Sequence, residues 1–528
     1  MSADTSFLDF LDPAAPEWSR LPRFPSDDPA QRLACDELIA ELDAVLVAVD
    51  AEEIDRTAAL PDGLIEALRA GGLFTLRDNS RRPSDYTMFR VVEHAARCSV
   101  AVGQLIAVQN GIGAAALLPG LPPGPLREFV GGQVDAGTLS GLADTEPSGQ
   151  NNRWRDTVAV STEDGCAYRL DGAKRFICLG SVAGLLGVTA VVRDQAGQQR
   201  LGLVFVDTAS PGVTVTARHE FLGGRGLPNG SLRFESVLVP AERVLAGPGS
   251  SGAGSPPSVG RLLFNAAPAL AIVRACQVLA REFVVDREID GRPLAGYEQV
   301  ERFFATALAE TYALDGAIRW CLLGADRGFE QLLAKNICTR AAWRIADQTV
   351  SILGGSGLET ASSALARSAR ARPAERLLRD ARGLRVSGNV DFLLDIQAGR
   401  ALLARHARSA DPYRDWPGPT DNAGLSPANR EHLAALAEDL RRLSRTCADL
   451  AGRYPDPDAM PGGQQAHRLI GHIAGELLTV FVVLARAAGA GGELADLYCT
   501  TARHRLAGLW HELSVPPRDF TSILRGNR

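Results

Sequence analysis

Histidine and cysteine, the side chains that most often bind metals or act as nucleophiles, form no recognisable motif in this sequence. Among the eight histidines, His467 and His472 lie five residues apart and His472 lies four before Glu476, without completing a His-Glu-x-x-His motif. The nine cysteines include no Cys-x-x-Cys pair, which indicates neither a zinc site nor a disulfide framework. We therefore expect no metal, and a reducing, cytoplasmic environment.

Five short strings carry more distinctive chemistry. The first, GLADTEPSG at 141–149, follows a predicted strand and places Thr145 at a turn. The others are YRLDGAKRFIC at 168–178, FLGGRGLPNGSLRFESVLVP at 221–240, DREIDGRPLAGYEQV at 286–300, and ILGGSGL at 352–358 with RLLRDAR at 376–382. Each string alone is uninformative. LGGRG, for example, is not a dinucleotide fingerprint, because no predicted βαβ unit surrounds it.

The elements that would position these strings follow a helix, sheet, helix order. Apolar residues at three- and four-residue steps predict an N-terminal helical domain over 1–133. Short valine-rich runs between DG, GG, PG and NG turns predict a middle β-barrel-like domain over 134–246. Long amphipathic segments predict a four-helix bundle over 260–410. The predicted fold class is α+β, mostly α.

An additional helical region is predicted over 424–515, where Ser426 and Pro427 form an N-cap and first-turn pair. Segments rich in glycine, serine and proline, 247–260 and 411–424, precede the bundle and this additional region. Both segments are typical of linkers.

The composition excludes several function classes. The chain has 528 residues, about three and a half domains of roughly 150 residues each. With 46% hydrophobic and 22% charged residues it has a globular mix. A net charge of −6 does not indicate a basic surface that would bind nucleic acid. Residues 99–126 carry no charge, but glutamines, an asparagine, prolines and glycines interrupt them, so we expect a buried helix and no membrane span.

In this order the five strings resemble the acyl-CoA dehydrogenase family, over about 260 residues of the chain. The resemblance implies FAD as cofactor, with the T-E-P loop and the strand after it holding the flavin ring. It also implies a homodimer or homotetramer, because in that family the arginine matched by Arg287 and the glycine turn complete the FAD site of the neighbouring subunit. The additional region at 424–515 would be an extension absent from the shortest members.

Nine residues would bind FAD by this resemblance. Thr145 would bond the flavin pyrimidine edge, although a turn cap explains it equally well, and Arg287 would pair with the pyrophosphate, although it is also an ordinary surface arginine by sequence. The glycines would let backbone approach the cofactor. The set is Thr145, Asn151, Phe176, Cys178, Arg287, Gln299, Gly354, Gly355 and Asn389.

Several positions depart from the family pattern. Cys178 stands where most members have a threonine that contacts flavin N5, and a thiol is a weaker donor. Asp290 replaces a phenylalanine, and Ser351 replaces a glutamine before the glycine turn. Gln299 falls one place late, which leaves Glu298 as the other possible match.

The largest departure concerns the general base. The family removes the α-proton with a glutamate shortly after Arg-Asp, and Ser387 stands there, or Gly388 without a gap. The alternative glutamate position, in 264–268, also has no acid. Losing a positioned base costs about 10²- to 10⁴-fold in rate. Weak candidates to replace it are Asp290, Glu298, Asp391 and Asp395, although an acid in such a position is more often a solvated helix residue.

The resemblance and the departures from the family pattern suggest three functions. The first is an FAD-dependent oxidoreductase acting on an acyl thioester, on coenzyme A or a carrier protein, by a modified α,β-oxidation in specialised metabolism. The second is a flavin-dependent monooxygenase on the same fold, which needs no thioester base. The third is a non-catalytic partner subunit. Bound flavin separates the first two from the third.

Overall fold

The computed structural model describes residues 6–11, 21–78, 83–149, 152, 154–246, 258–324, 327–408, 424–456, 460, 462–516 and 525. The predicted α+β, mostly helical fold is confirmed. The predicted linkers at 247–260 and 411–424 lie almost entirely outside the described residues.

The chain divides into two compact units. The sheet unit comprises Asp28–Ala271 and Thr360–Gly383, and the bundle unit comprises Met1–Asp27, Ile272–Glu359 and Leu384–Arg528. The predicted boundaries of four domains stay a prediction.

The sheet unit begins with a helical layer, as the apolar periodicity predicted. Asp28 caps the first of its helices by accepting from Ala30 N at 3.1 Å, and Pro29 follows in the first turn. The helices are α2 (Pro29–Leu46), α3 (Ala51–Thr57), α4 (Leu64–Ala70), α5 (Asp85–Cys98), α6 (Val100–Gly111), α7 (Ala114–Leu117) and α8 (Pro125–Asp135). Every residue of α6 is buried, which explains its continuous apolar sequence.

The predicted β domain forms one eight-stranded sheet. Its strands are β1 (Ser140–Ala143), β2 (Val158–Ser161), β3 (Ala167–Cys178), β4 (Leu185–Arg193), β5 (Gln199–Asp207), β6 (Val213–Arg218), β7 (Asn229–Pro240) and β8 (Val244–Leu245). The order is β6-β7-β3-β2-β4-β5-β8, and β1 pairs parallel to β4. The antiparallel β3–β7 pair carries two register shifts, the second between Lys174 and Ile177. That irregularity decides which β3 side chains face outward.

The helices that follow the sheet in the chain include the long helices of the bundle unit, whereas the helical residues in 258–271 and 360–383 belong to the sheet unit. In chain order the remaining helices are α9 (Ser258–Arg261), α10 (Ala267–Val285), α11 (Glu298–Leu323), α12 (Gly328–Leu353), α13 (Gly355–Leu358), α14 (Ala361–Ala366), α15 (Ala374–Leu384), α16 (Asp391–His406), α17 (Pro427–Arg453), α18 (Gly463–Ala487) and α19 (Gly492–Ser514). A π-helical turn, Leu262–Ala266, joins α9 to α10, and the short strands β9 (Glu288–Ile289) and β10 (Arg292–Pro293) form a hairpin before α11.

The core of the bundle unit also contains a short N-terminal helix, α1 (Phe7–Phe10). Phe7 and Phe10 lie 5.7 and 4.7 Å from the ring of Phe481 on α18. Trp320 of α11 packs edge-on against the same ring at 5.3 Å. The N-cap predicted at Ser426 is present, with Asn429 N donating to Ser426 Oγ at 3.2 Å.

Among the residues that the structure describes, three helical stretches are long and apolar enough to cross a membrane: Val100–Gly120, Ser258–Val285 and Gly463–Ala487. The most apolar window of each is 94%, 72% and 83% buried by the rest of the structure, respectively. Most of their apolar surface therefore already contacts protein.

Candidate active site

The T-E-P loop after β1 is held by a fully buried ion pair. Lys174 Nζ lies 2.9 Å from Glu146 Oε1, and neither side chain is exposed. Lys174 also donates to Asp144 O at 3.1 Å and to Thr189 Oγ1 at 3.2 Å. The backbone N–H groups of Asp156 and Thr157 donate to the Glu146 carboxylate at 2.7 and 2.9 Å.

These contacts compensate for the burial of both charges. Burial alone would raise the pKa of Glu146, but hydrogen bonds from Thr157, Asp156 and Lys174 hold that pKa below its ordinary value. Burial also lowers the pKa of Lys174, while the hydrogen bond and charge of Glu146 oppose that shift. Arg175 N donates to Thr145 O at 2.8 Å, so strand β3 holds Thr145 as well. Thr145 thus lies on a rigid loop, with its side chain partly exposed.

Phe176 projects from β3 because of the second register shift. Its φ is +58°, a conformation that is rare for an aromatic residue, and its side chain is 47% exposed. The ring lies 5.0 Å from the His219 ring and 5.9 Å from the Phe221 ring. Together these rings form an exposed aromatic surface on which a planar ligand could stack.

Cys178 ends the same strand and contacts Asn229. Burial raises the pKa of the Cys178 thiol to about 11, although the hydrogen bond from Asn229 opposes the shift. The Asn229 amide donates to Cys178 Sγ at 3.7 Å, and Asn229 Oδ1 is buried without a partner. The thiol is therefore neutral at pH 7, and the unpaired amide oxygen leaves room for a ligand donor.

The bundle unit carries the other predicted residues, and Asp290 has a structural role there. Asp290 and Gly291 form the two-residue turn between β9 and β10, both with positive φ (+53° and +73°). Asp-Gly is a preferred pair for such a hairpin turn. Arg287 precedes β9, is exposed, and lies 5.6 Å from the Phe283 ring.

Glu298 and Gln299 are exposed in the first turn of α11. An acid at this position is favoured by the helix dipole. Gly354, with φ +58°, ends α12, and Gly355 begins α13. A Cβ added at either glycine would meet nothing within 4 Å, so the surface around this turn is open.

The two remaining carboxylates are committed to arginines. Arg385 donates to Asp391 Oδ2 through Nε and Nη2 at 2.9 and 2.7 Å, and Arg340 Nη2 lies 2.5 Å from Asp395 Oδ2. Burial opposes ionisation of Asp391, but the hydrogen bonds and charges of Arg385 and Arg340 keep its pKa below the ordinary value. A carboxylate held in this way is a poor proton acceptor.

Ser387 and Asn389 lie in the loop between α15 and α16. Ser387 is partly exposed, whereas Asn389 is 8% exposed with its Oδ1 unpaired. Asn151, also predicted from the sequence, lies outside the described residues. The structure thus brings Thr145, Phe176 and Cys178 together on the sheet unit, and gives each of the four weak base candidates another explanation.

Sequence reasoning did not assign a role to Lys174, although it lies within the string that carries the resemblance. The sequence did contain a sign that Lys174 is buried, because the two-residue period of β3 places it on the same strand face as the apolar Leu170. On the sheet unit, the exposed aromatic surface, the loop that carries Thr145 and the unpaired oxygen of Asn229 fit FAD. On the bundle unit, the unpaired oxygen of Asn389 can accept a hydrogen bond from such a ligand.

Two protein-family models match the part of the chain that carries the candidate residues. The acyl-CoA dehydrogenase middle-domain model matches residues 141–237, and the C-terminal-domain model matches 258–408. A probable acyl-CoA dehydrogenase of Mycobacterium tuberculosis is 28% identical over 95% of this chain and 86% of its own length. A cyclohex-1-ene-1-carbonyl-CoA dehydrogenase of Geobacter metallireducens is 28% identical over 53% of this chain and 71% of its own.

Solved structures show the same fold. An acyl-CoA dehydrogenase of Bacillus anthracis, complexed with FAD, aligns with a TM-score of 0.76 at 16% identity, covering 98% of this chain and 94% of its own. Butyryl-CoA dehydrogenase of Megasphaera elsdenii aligns with a TM-score of 0.61 at 21% identity, covering 72% of this chain and 99% of its own. The present chain is therefore longer than such short relatives.

The matched residues, 141–237 and 258–408, belong to the acyl-CoA dehydrogenase family, and the whole chain resembles its members in sequence and fold. It is an FAD-dependent oxidoreductase of the acyl-CoA dehydrogenase type. The predicted family, enzyme class and cofactor are confirmed.

Proposed function

We propose that the enzyme oxidises an acyl thioester, carried on coenzyme A or a carrier protein, between its α and β carbons. The names of the relatives support a thioester substrate, since both curated relatives are described as dehydrogenases of CoA esters. When bound, FAD supplies the acceptor for the two electrons. The residues proposed to hold it are Thr145, Phe176, Cys178, Arg287, Gln299, Gly354, Gly355 and Asn389, with Asn151 proposed from the sequence alone.

One observation supports the proposal of a modified oxidation: the loop at the position of the family's base, residues 385–390, contains no carboxylate. Ser387 and Gly388 are not bases at neutral pH, and Asp391 is bound to Arg385 and Arg340. We propose a substrate whose α-proton is acidic enough to leave to solvent without a positioned carboxylate. Such a requirement favours specialised metabolism over the degradation of saturated fatty acids.

The enzyme is proposed to be a cytoplasmic homodimer or homotetramer. Arg287 and the Gly354-Gly355 turn are exposed, and apolar side chains near them in sequence are also exposed: Val285 by 66%, Ile289 by 40% and Leu358 by 68%. A second subunit would cover such apolar surface. All nine cysteines are described by the structure as thiols, which suits a reducing compartment. The three apolar helical stretches are proposed to be core helices.

Anaerobic mixing with a panel of acyl-CoAs, with flavin absorbance as the readout, tests the proposal. Saturated straight-chain acyl-CoAs are expected to bleach the flavin slowly, and thioesters with an electron-withdrawing group next to the α-carbon are expected to bleach it faster. Rapid bleaching by butyryl-CoA or palmitoyl-CoA would contradict the missing base.

The second candidate is a flavin monooxygenase, which the same absence of a carboxylate favours because oxygen chemistry needs no α-proton acceptor. Product formation only with supplied reductant and O₂ would favour it. If the purified protein is colourless and does not bind added FAD, the remaining candidate function is that of a non-catalytic partner subunit.

A further inference from the structure

Lys335 is a fully buried lysine on α12 whose ammonium group faces the loop at the base position. Its Nζ donates to Arg385 O at 3.1 Å and to Asn389 O at 2.9 Å. These carbonyls lie at the two ends of the loop between α15 and α16. A buried ammonium group needs several acceptors, and this one takes at least two of them from a single loop.

Two neighbours on α12 bind the chain just after the loop. Asn336 donates to Asp391 O at 2.7 Å and to Asp395 Oδ1 at 2.8 Å. Arg340 pairs with Asp395 at 2.5 Å and with Asp391 at 3.5 Å. The loop is therefore attached to α12 at its beginning, at its end and at the first turn of α16.

The tip of the loop reaches the surface of the protein. Val386 is 47% exposed and Gly388 is exposed, with a φ of +64° at Gly388 and +80° at Asn389. Two successive residues in the left-handed region turn the chain sharply. The ends of the loop are thus fixed while residues 386–388 project.

We propose that Lys335 is a positioning residue that sets the conformation of residues 385–389 and thereby holds Asn389 for cofactor binding. Because Lys335 binds backbone carbonyls, it fixes the loop whatever side chains the tip carries. Asn389 is almost fully buried yet has an unpaired Oδ1, so a ligand donor can satisfy it only if the loop keeps this geometry. The role of Asn389 in cofactor binding rests on the proposed function, whereas the role of Lys335 in fixing the loop does not.

The test uses the full-length protein with Lys335→Met, and Thr339→Val as the matched control. Thr339 lies one turn further along α12, is fully buried, and its Oγ1 has no partner. Trypsin cleavage at the Arg385–Val386 bond is followed by mass spectrometry in FAD-stripped protein, relative to cleavage after Arg453. The dissociation constant for FAD is measured by flavin fluorescence.

For Lys335→Met we expect cleavage at Arg385 to rise at least about tenfold relative to Arg453, because local opening exposes that bond. We expect FAD to bind about tenfold more weakly, and Thr339→Val to match the wild type in both measurements. If Lys335→Met does not fold, Lys335→Gln, which keeps a shorter donor, is expected to show smaller changes in the same direction.

Unchanged cleavage at Arg385 in a folded variant would overturn the proposal. Increased cleavage with unchanged FAD affinity would overturn the cofactor role of the loop. Failure of the wild type to bind FAD would instead refute the proposed function, and the cleavage ratio would still decide whether Lys335 holds the loop.

Discussion

Removing the charge of Lys174 isolates the contribution of the buried ion pair under the T-E-P loop. Lys174→Met deletes three hydrogen bonds, to Glu146 Oε1, Asp144 O and Thr189 Oγ1. The side chain that remains has a similar length and fills most of the space. The change therefore leaves a buried carboxylate without its counter-ion, rather than a large cavity.

Breaking one side of a buried ion pair costs about 3–5 kcal/mol. We expect the lower end, about 3 kcal/mol, because the backbone N–H groups of Asp156 and Thr157 still donate to Glu146. In the double variant Lys174→Met/Glu146→Gln the uncompensated charge is gone. We expect that variant to regain about half of the loss, although it leaves those N–H groups with a weaker acceptor.

Acid should distinguish the single variant from the wild type. In the wild type the pKa of Glu146 is depressed, so its stabilising contribution is present at neutral pH and is lost as the pH falls through that pKa. Without Lys174, burial raises the pKa, so protonation relieves the destabilisation. The difference in unfolding free energy between variant and wild type should therefore shrink from pH 7 to pH 5.

Urea unfolding followed by circular dichroism measures these differences, and flavin release reports on Thr145, whose carbonyl binds β3 next to Lys174. A loss below about 1 kcal/mol at pH 7, well short of the range for a buried pair, would refute the reasoning. So would a double variant that is no more stable than Lys174→Met, because the cost would then not come from the unpaired charge.

Three further predictions concern other residues. Ser387→Glu should restore a base and speed flavin bleaching by saturated acyl-CoAs by about 10²-fold or more, whereas Ser387→Gln should not; equal rates in stopped-flow mixing would contradict this. Burial raises the Cys178 pKa to about 11, so the reactive thiolate should increase about tenfold per pH unit from pH 7 to 10. The rate of Cys178 alkylation by iodoacetamide, measured by mass spectrometry, should increase in parallel, and a rate that levels off near pH 8.5 would contradict the raised pKa. Phe7→Ala, which removes a fully buried ring packed on Phe481, should cost about 3–5 kcal/mol in urea unfolding, and a loss below 1 kcal/mol would show that Phe7 does not pack there in solution.

The sequence predicts the fold class because most of its elements are periodic. The apolar steps along α17 and the cap at Ser426 are local signals, and both appear in the structure as predicted. The π-helical turn at Leu262–Ala266 and the β9–β10 hairpin were not predicted. No sequence pattern distinguishes the π-helical turn from the α-helix that follows it. The hairpin is indicated only by the Asp290-Gly291 pair between two long helices, and from the sequence Asp290 was interpreted as a candidate base.

Residue types predicted which residues are candidates for the site, but not which way their side chains face or which groups they pair with. Strict alternation along β3 would place Phe176 on the same buried face as Lys174, yet the irregularity between Lys174 and Ile177 reverses the alternation. Phe176 therefore faces outward while Ile177 is buried. Both Asp391 and Asp395 pair with Arg340, which lies more than 50 residues earlier on α12, and local spacing cannot reveal these pairs. Tertiary contacts thus decide which acids are free to react, and they commit both of these to structural roles.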